Sequence, residues 1–253
     1  MNQSRKKTAL VTGAGQRIGR AIATALAGAG YAVAIHCRRS KGEATVLAAE
    51  IEKAGGRSAI LVADLADEKA VARLVPEATK ALGPLTLLVN SAAVFEPDQI
   101  GSLSLERWDR QFAINLVAPV FLAEAFAAQA PDGSAIVNVV DQRVFKLTPK
   151  FVSYTLTKAA LAAATHTLAQ ALAPKIRVNG VAPGPTLPSP RQDPAELARQ
   201  TKTLPLGHGP TPEDIAQAVL FLAAANSTTG TIIPVDGGQH IAWQTPDTAG
   251  IRE

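Results

Sequence analysis

The chain has 253 residues, 47% hydrophobic and 18% charged, which suits one α/β domain with a large core. Aromatic residues make up only 4%, so Ala, Leu, Val and Ile must fill that interior, as they commonly do in parallel sheets. The net charge of +4 comes from dispersed basic residues, which favours a small anionic ligand and gives no nucleic-acid footprint. The single cysteine, Cys37, excludes an internal disulfide and fits a reducing, cytoplasmic compartment. The basic start, Arg5-Lys6-Lys7, leads into an apolar run too short for a secretion signal, and no run of about 18 uncharged apolar residues exists, so no membrane span is expected. The glycosylation patterns at Asn2-Gln-Ser4 and Asn226-Ser-Thr228 therefore read as chance.

In chain order, residues 8–11 form a short apolar strand, 18–29 a helix, 31–35 a strand, 43–54 a helix and 58–63 a strand. Residues 67–82 follow as a helix, 85–89 as a strand, and 105–130 as one long or broken helical region with Pro119 as its kink. A strand at 134–140, a helix at 152–172 and a strand at 175–181 come next. The stretch 183–209 is irregular and Pro-rich, with a helix from 194 to about 202, and is the candidate for a mobile substrate loop. Thr211-Pro-Glu-Asp214 opens a helix to 225 as a capping box, and 231–235 is the last strand. Strands alternating with helices predict one doubly wound parallel sheet of about seven strands, Rossmann-type, with helices on both faces, in a single domain spanning 1–253.

Three stretches carry chemistry. Thr12-Gly13-Ala-Gly-Gln16-Arg17-Ile18-Gly19 lies between the first strand and first helix, where glycines let backbone N–H groups approach a pyrophosphate and the helix dipole favours negative charge. The second strand ends His36-Cys37-Arg38-Arg39-Ser40 with no carboxylate for a ribose 2′-hydroxyl; two arginines and a serine suit a 2′-phosphate, so NADPH is expected over NADH. Asp64-Leu65 is placed to meet the adenine, and Asn90-Ser91-Ala92 to meet the cofactor ribose. Finally, Tyr154 and Lys158 stand four residues apart on one helical face, where an ammonium would lower the phenol pKa and let the pair pass a proton. Cys37 reads as strand packing, His166 as structural, and no metal site is expected.

Taken together, these pieces resemble the short-chain dehydrogenase/reductase family along essentially the whole chain, from Thr12-Gly13 through Asn115, Tyr154, Lys158 and the Pro183-Gly184 turn to Val235-Asp-Gly-Gly238. The resemblance implies that Tyr154 donates the proton, Lys158 holds the nicotinamide ribose, Asn115 supports a proton relay, and Pro183, Gly184 and Thr186 meet the cofactor. It also implies a homotetramer built on long helices. Three departures stand out: Arg17 where the family has Gly, Asp141 where it has Ser, and Asn-Ser-Ala-Ala where it has Asn-Asn-Ala-Gly. The first two are similar to the pteridine reductase subgroup, which places an aromatic ring at the position of Phe95. That likeness implies a substrate site of Arg17, Phe95, Asp141 and Tyr154. The expected activity is hydride transfer from NADPH to a pterin: dihydropteridine, dihydromonapterin or dihydrofolate. The alternatives are a carbonyl reductase of a 3-oxoacyl thioester, sugar or steroid and, in a different class, a catalytically silent dinucleotide sensor.

Overall fold

A computed structural model describes residues 7–189 and 191–243. The Asn2 sequon and Arg5-Lys6 lie outside the described residues. Seven parallel strands form one sheet in the order β3-β2-β1-β4-β5-β6-β7: β1 Thr8–Val11, β2 Ala32–Cys37, β3 Ser58–Val62, β4 Leu87–Asn90, β5 Ser134–Val139, β6 Ile176–Pro183 and β7 Ile232–Val235. β1 lies between β2 and β4, with Leu10 opposite Ala34 on one side and Leu88 on the other. Here the chain reverses its direction of progress across the sheet, and such a switch point opens a crevice at the carboxyl ends of the strands.

Every residue of β1, β4, β5 and β6 is buried, the polar Asn90, Asn138, Arg177 and Asn179 included, because helices cover both faces. On one face, α1 (Arg17–Gly28), α2 (Lys41–Lys53) and α8 (Pro212–Ala224) bury Ile22, Leu26, Leu47 and Ile215. On the other, α3 (Glu68–Leu82), α5 (Ala118–Gln129) and α6 (Val152–Leu172) bury Leu74, Leu122 and Phe126. α4 (Leu105–Phe112) precedes α5, and α7 (Pro194–Lys202) sits within the Pro-rich loop.

The helical region expected at 105–130 departs from a simple proline kink. Between α4 and α5 the backbone widens into a π-turn at Ala113–Val117, and Pro119 begins α5. Pro119 has no N–H to give to the carbonyl four residues back, so the ladder changes its spacing before it rather than bending at it. Leu105–Gln129 is long and apolar enough to cross a membrane by length and composition; in this fold its buried residues pack against the sheet.

Some helix starts carry side-chain caps and others, including that of α1 at the crevice, do not. Asp67 caps α3, and capping boxes close α7 and α8. Gln16 makes no side-chain cap at the start of α1, and the first turn carries no acid. The N-terminus of α1 is thus open toward the crevice.

Candidate active site

The crevice is a cavity of about 790 Å³. Its floor is the phosphate turn. Gly13 adopts a φ of +67°, and a Cβ there would come within 2.9 Å of the Ala92 backbone. A Cβ on Gly19 would meet the Gly13 carbonyl at 2.2 Å, so both positions must be glycine. Thr12 ties the turn to the end of β4, its hydroxyl accepting from Ser91 N and Ala92 N, each at 3.0 Å. The result fits a pyrophosphate: a glycine turn, an uncapped helix N-terminus, and Gln16, Arg17, Ile18 and Gly19 on the wall.

His36 lines the cavity, yet its ring is bound within the fold. Its ring is 1% exposed, and both nitrogens are already used. Nδ1 accepts from Gly13 N at 3.1 Å, so Nε2 carries the proton and donates to the Ala63 carbonyl at 3.1 Å. Burial lowers its pKa below the usual 6.5, and the ring is neutral at pH 7. His36 pins the turn from beneath.

At the far end of β2, Arg38, Arg39 and Ser40 line the cavity with Asp64 and Leu65. Arg38 leans on Asp64 at 3.5 Å, and Arg110 reaches the same carboxylate oxygen at 3.2 Å. The other Asp64 oxygen accepts from Ala66 N at 3.0 Å. Both Asp64 oxygens therefore already have partners before any adenine arrives. Arg39 has no ion-pair partner among the described residues, so it and Ser40 are the freer donors for a 2′-phosphate.

The catalytic face is built by α6 and the end of β5. Phe151, at the start of α6, has a φ of +57° and gives no side-chain cap. The cap comes from elsewhere: the buried Asp98 carboxylate accepts from Ser153 N at 3.2 and 3.3 Å and from the Ser153 hydroxyl, which in turn accepts from Gln111. This network locks the first turn of α6 and so aims Tyr154. The Tyr154 hydroxyl donates to Asp141 Oδ2 at 2.9 Å, and Asp141 Oδ1 accepts from Arg143 N at 2.9 Å. Lys158 Nζ donates to the Val139 carbonyl at 2.7 Å and lies 5.8 Å from the centre of the Tyr154 ring.

The electrostatics reverse one expectation. Lys158 does not bring the phenol pKa down. Burial and the facing Asp141 carboxylate push Tyr154 well above 10, and only Arg143 opposes them. Burial also lowers Lys158 from 10.5 to about 8, with Asp141 holding it up in part. Tyr154 is thus a neutral O–H with its proton held against a carboxylate, and Lys158 is an ammonium at pH 7 that can be discharged a little above it.

Asn90 and Asn115 are occupied within the scaffold. Both are buried behind the cavity. Asn90 donates to Asn138 at 2.9 Å. Asn115 accepts from Val94 N and donates to Val94 O, both at 2.9 Å, and reaches Thr157 at 3.2 Å. Its side chain fastens the loop after β4 to the π-turn and α6, and has no donor left for a solvent chain in the cavity.

Phe95 reaches the catalytic cluster. It stacks on Phe151 at 4.3 Å between centres and meets Tyr154 edge-on at 4.7 Å. Arg17, also at positive φ (+56°), does not point at an open substrate space: it donates to Leu187 O at 3.3 Å and Pro188 O at 3.0 Å. Arg191 donates to Phe95 O at 2.6 Å. These two arginines latch the Pro-rich loop across the cavity, whose far wall carries Pro183, Gly184 and Thr186. A left-handed non-glycine residue costs about 1–2 kcal/mol, and the two such residues among the described ones, Arg17 and Phe151, both line this cavity. Arg143, Phe151, Asp98 and Arg191 went unread in the sequence. Arg143 was the one with a signal, two residues beyond Asp141 at a strand end.

Known proteins share this fold along nearly the whole chain. The family model described as enoyl-(acyl carrier protein) reductase matches residues 13–240. An uncharacterized oxidoreductase of Methylorubrum extorquens is 35% identical over 94% of this chain and 99% of its own. The crystal structure of FolM alternative dihydrofolate reductase 1 from Brucella suis in complex with NADP is 48% identical, with a TM-score of 0.93, over 96% of this chain and 98% of that one. An angucycline C-6 ketoreductase with bound NADP is 32% identical, with a TM-score of 0.85, over 93% and 96%. By this match along nearly its whole length, the chain belongs to the short-chain dehydrogenase/reductase family.

Proposed function

We propose that this oxidoreductase uses NADPH to reduce a pterin-type heterocycle, with dihydropteridine, dihydromonapterin and dihydrofolate as the substrate class. The observation that carries the reading is the 2.9 Å contact between the Tyr154 hydroxyl and the Asp141 carboxylate at the cavity wall. A ketone needs only a hydroxyl to polarise its oxygen. Reduction of a C=N bond needs a proton at ring nitrogen, and an amino-pyrimidine edge needs an acceptor; a phenol with a carboxylate beside it serves both. The 48% identity to the NADP complex of an alternative dihydrofolate reductase supports both cofactor and substrate class.

In this reading the 13–19 turn and the open end of α1 hold the pyrophosphate, Arg39 and Ser40 with Arg38 take the 2′-phosphate, and Lys158 takes the nicotinamide ribose. The bound nicotinamide supplies the hydride. Tyr154 gives its proton to the ring nitrogen next to the carbon that receives the hydride, and Asp141 holds the amino-pyrimidine edge. Phe95 offers a stacking face, and the loop latched by Arg17 and Arg191 shields the site from water. A homotetramer in the cytoplasm is part of the same proposal; Leu105, Val117 and Phe121 are exposed apolar side chains along the 105–129 helical region that such packing could cover.

The ketoreductase likeness favours a second reading, reduction of a ketone by the same Tyr154 and Lys158. Steady-state NADPH oxidation against a panel of pterins, folates and ketones decides between them. The pterin reading expects turnover with at least one dihydropterin or dihydrofolate; turnover with ketones alone overturns it.

A further inference from the structure

Arg143 occupies a place that the proposed chemistry reserves for the substrate. Its guanidinium carbon lies 5.2 Å from the centre of the Phe95 ring, 5.4 Å from Phe151 and 5.9 Å from Tyr154. Its Nη1 lies 3.5 Å from Asp141 Oδ2, the oxygen that also accepts from Tyr154. A bound amino-pyrimidine edge would need the same three things: an aromatic face, the carboxylate, and proximity to the phenol. A guanidinium and a 2-aminopyrimidine edge also share one shape, a flat N–C–N unit with N–H donors along one side.

Resting on the pterin reading, we infer that Arg143 is a specificity-determining residue whose guanidinium stands in for the substrate's guanidine-like edge and is displaced by it. The hold on the side chain suits displacement. Among the described residues its only hydrogen-bond acceptor is Asp141, at the outer limit of hydrogen-bond length, and the rest of its support is ring faces. Its backbone N–H is anchored separately on Asp141 Oδ1 at 2.9 Å, so the side chain can leave while the main chain stays. A heterocycle with a guanidine edge replaces every contact that Arg143 gives up. A ketone that pushed Arg143 aside would leave Asp141 Oδ2 without its guanidinium partner and offer no N–H in return, so Arg143 screens against it.

The test is the affinity of NADP+-saturated enzyme for 2,4-diaminopteridine, measured by calorimetry in the wild type, Arg143→Met and Arg143→Lys. Met removes the fork and the charge; Lys keeps the charge beside Asp141 but lacks the flat fork. Removing an internal competitor raises the fraction of binding-competent protein, so both variants are expected to bind about three- to tenfold more tightly. Weaker or unchanged binding in Arg143→Lys overturns the inference, as does absence of binding in all three proteins. If Arg143→Met fails to fold, Arg143→Lys decides alone. Because the readout is binding, it is independent of turnover: tighter binding without any pterin turnover would sink the functional reading and leave the role of Arg143 standing.

Discussion

At the cofactor end of the cavity the wall is largely main chain: the 13–19 turn, the open start of α1 and the end of β4, held by Thr12 and by His36 from beneath. At the substrate end the wall is side chains from separate elements: Phe95 after β4, Asp141 and Arg143 after β5, Phe151 and Tyr154 on α6, and Arg191 from the Pro-rich loop. The first region is set by what the backbone can do, and it suits a ligand whose phosphates do not change. The second is a side-chain mosaic on the same scaffold, where chemistry and substrate choice can change without touching the fold.

Breaking the substrate end should cost most. Tyr154→Phe removes the hydroxyl that donates to Asp141 and is expected to lower kcat by about 10²–10⁴, the usual contribution of a positioned acid, while NADPH binding persists. Near-normal turnover in that variant would remove Tyr154 from the chemistry; absence of turnover in the wild type with every substrate would revive the silent-sensor reading.

The next effect is in the pH profile. Tyr154 sits well above 10, so it cannot set an alkaline limb in the working range, whereas Lys158 loses its proton near 8. The rate should fall as pH rises through about 8, because the ammonium is present below that value and lost above it. Lys158→Arg should remove that limb, and a limb that persists in this variant would assign it to another group.

The smallest effect probes the cofactor end. His36→Ala leaves the Gly13 N–H unpaired and should destabilise the fold by about 1–3 kcal/mol, read as a lower Tm with weaker NADPH binding. The wild type carries a matching signature. Burial depresses the folded-state pKa of His36, so the unfolded chain takes up the proton first as pH falls. Stability should therefore decline as pH drops below about 6.5, and His36→Ala should flatten that decline.

The contrast between the two regions also explains what could be read from the chain. The strands, their alternation with helices and the glycines of the phosphate turn were legible because each follows from local rules: apolar runs, caps, and positions where a Cβ cannot fit. Tyr154 and Lys158 were legible as a spacing, and Asp141 through the family resemblance. The roles of Asn90, Asn115 and His36 were not, because their partners lie across the fold: Asn138, Val94 and Gly13. The cap of α6 by Asp98 joins residues 55 positions apart, and nothing near Phe151 signals its left-handed backbone. The expected fall in the Tyr154 pKa also failed for a long-range reason. Residue spacing showed the Tyr–Lys pair but not the depth of burial or the carboxylate in direct contact with the phenol.

In the proposed function, the carboxylate beside the phenol makes this site a reader of nitrogen heterocycles. The most direct test of that role is kcat/KM for NADPH oxidation with a dihydropterin and with a ketone panel, compared between the wild type and Asp141→Ser. The variant is expected to lose about a hundredfold or more with the dihydropterin, within the range of a lost acid–base partner, and to keep or gain activity on ketones. A variant that reduces the dihydropterin as well as the wild type does would contradict it.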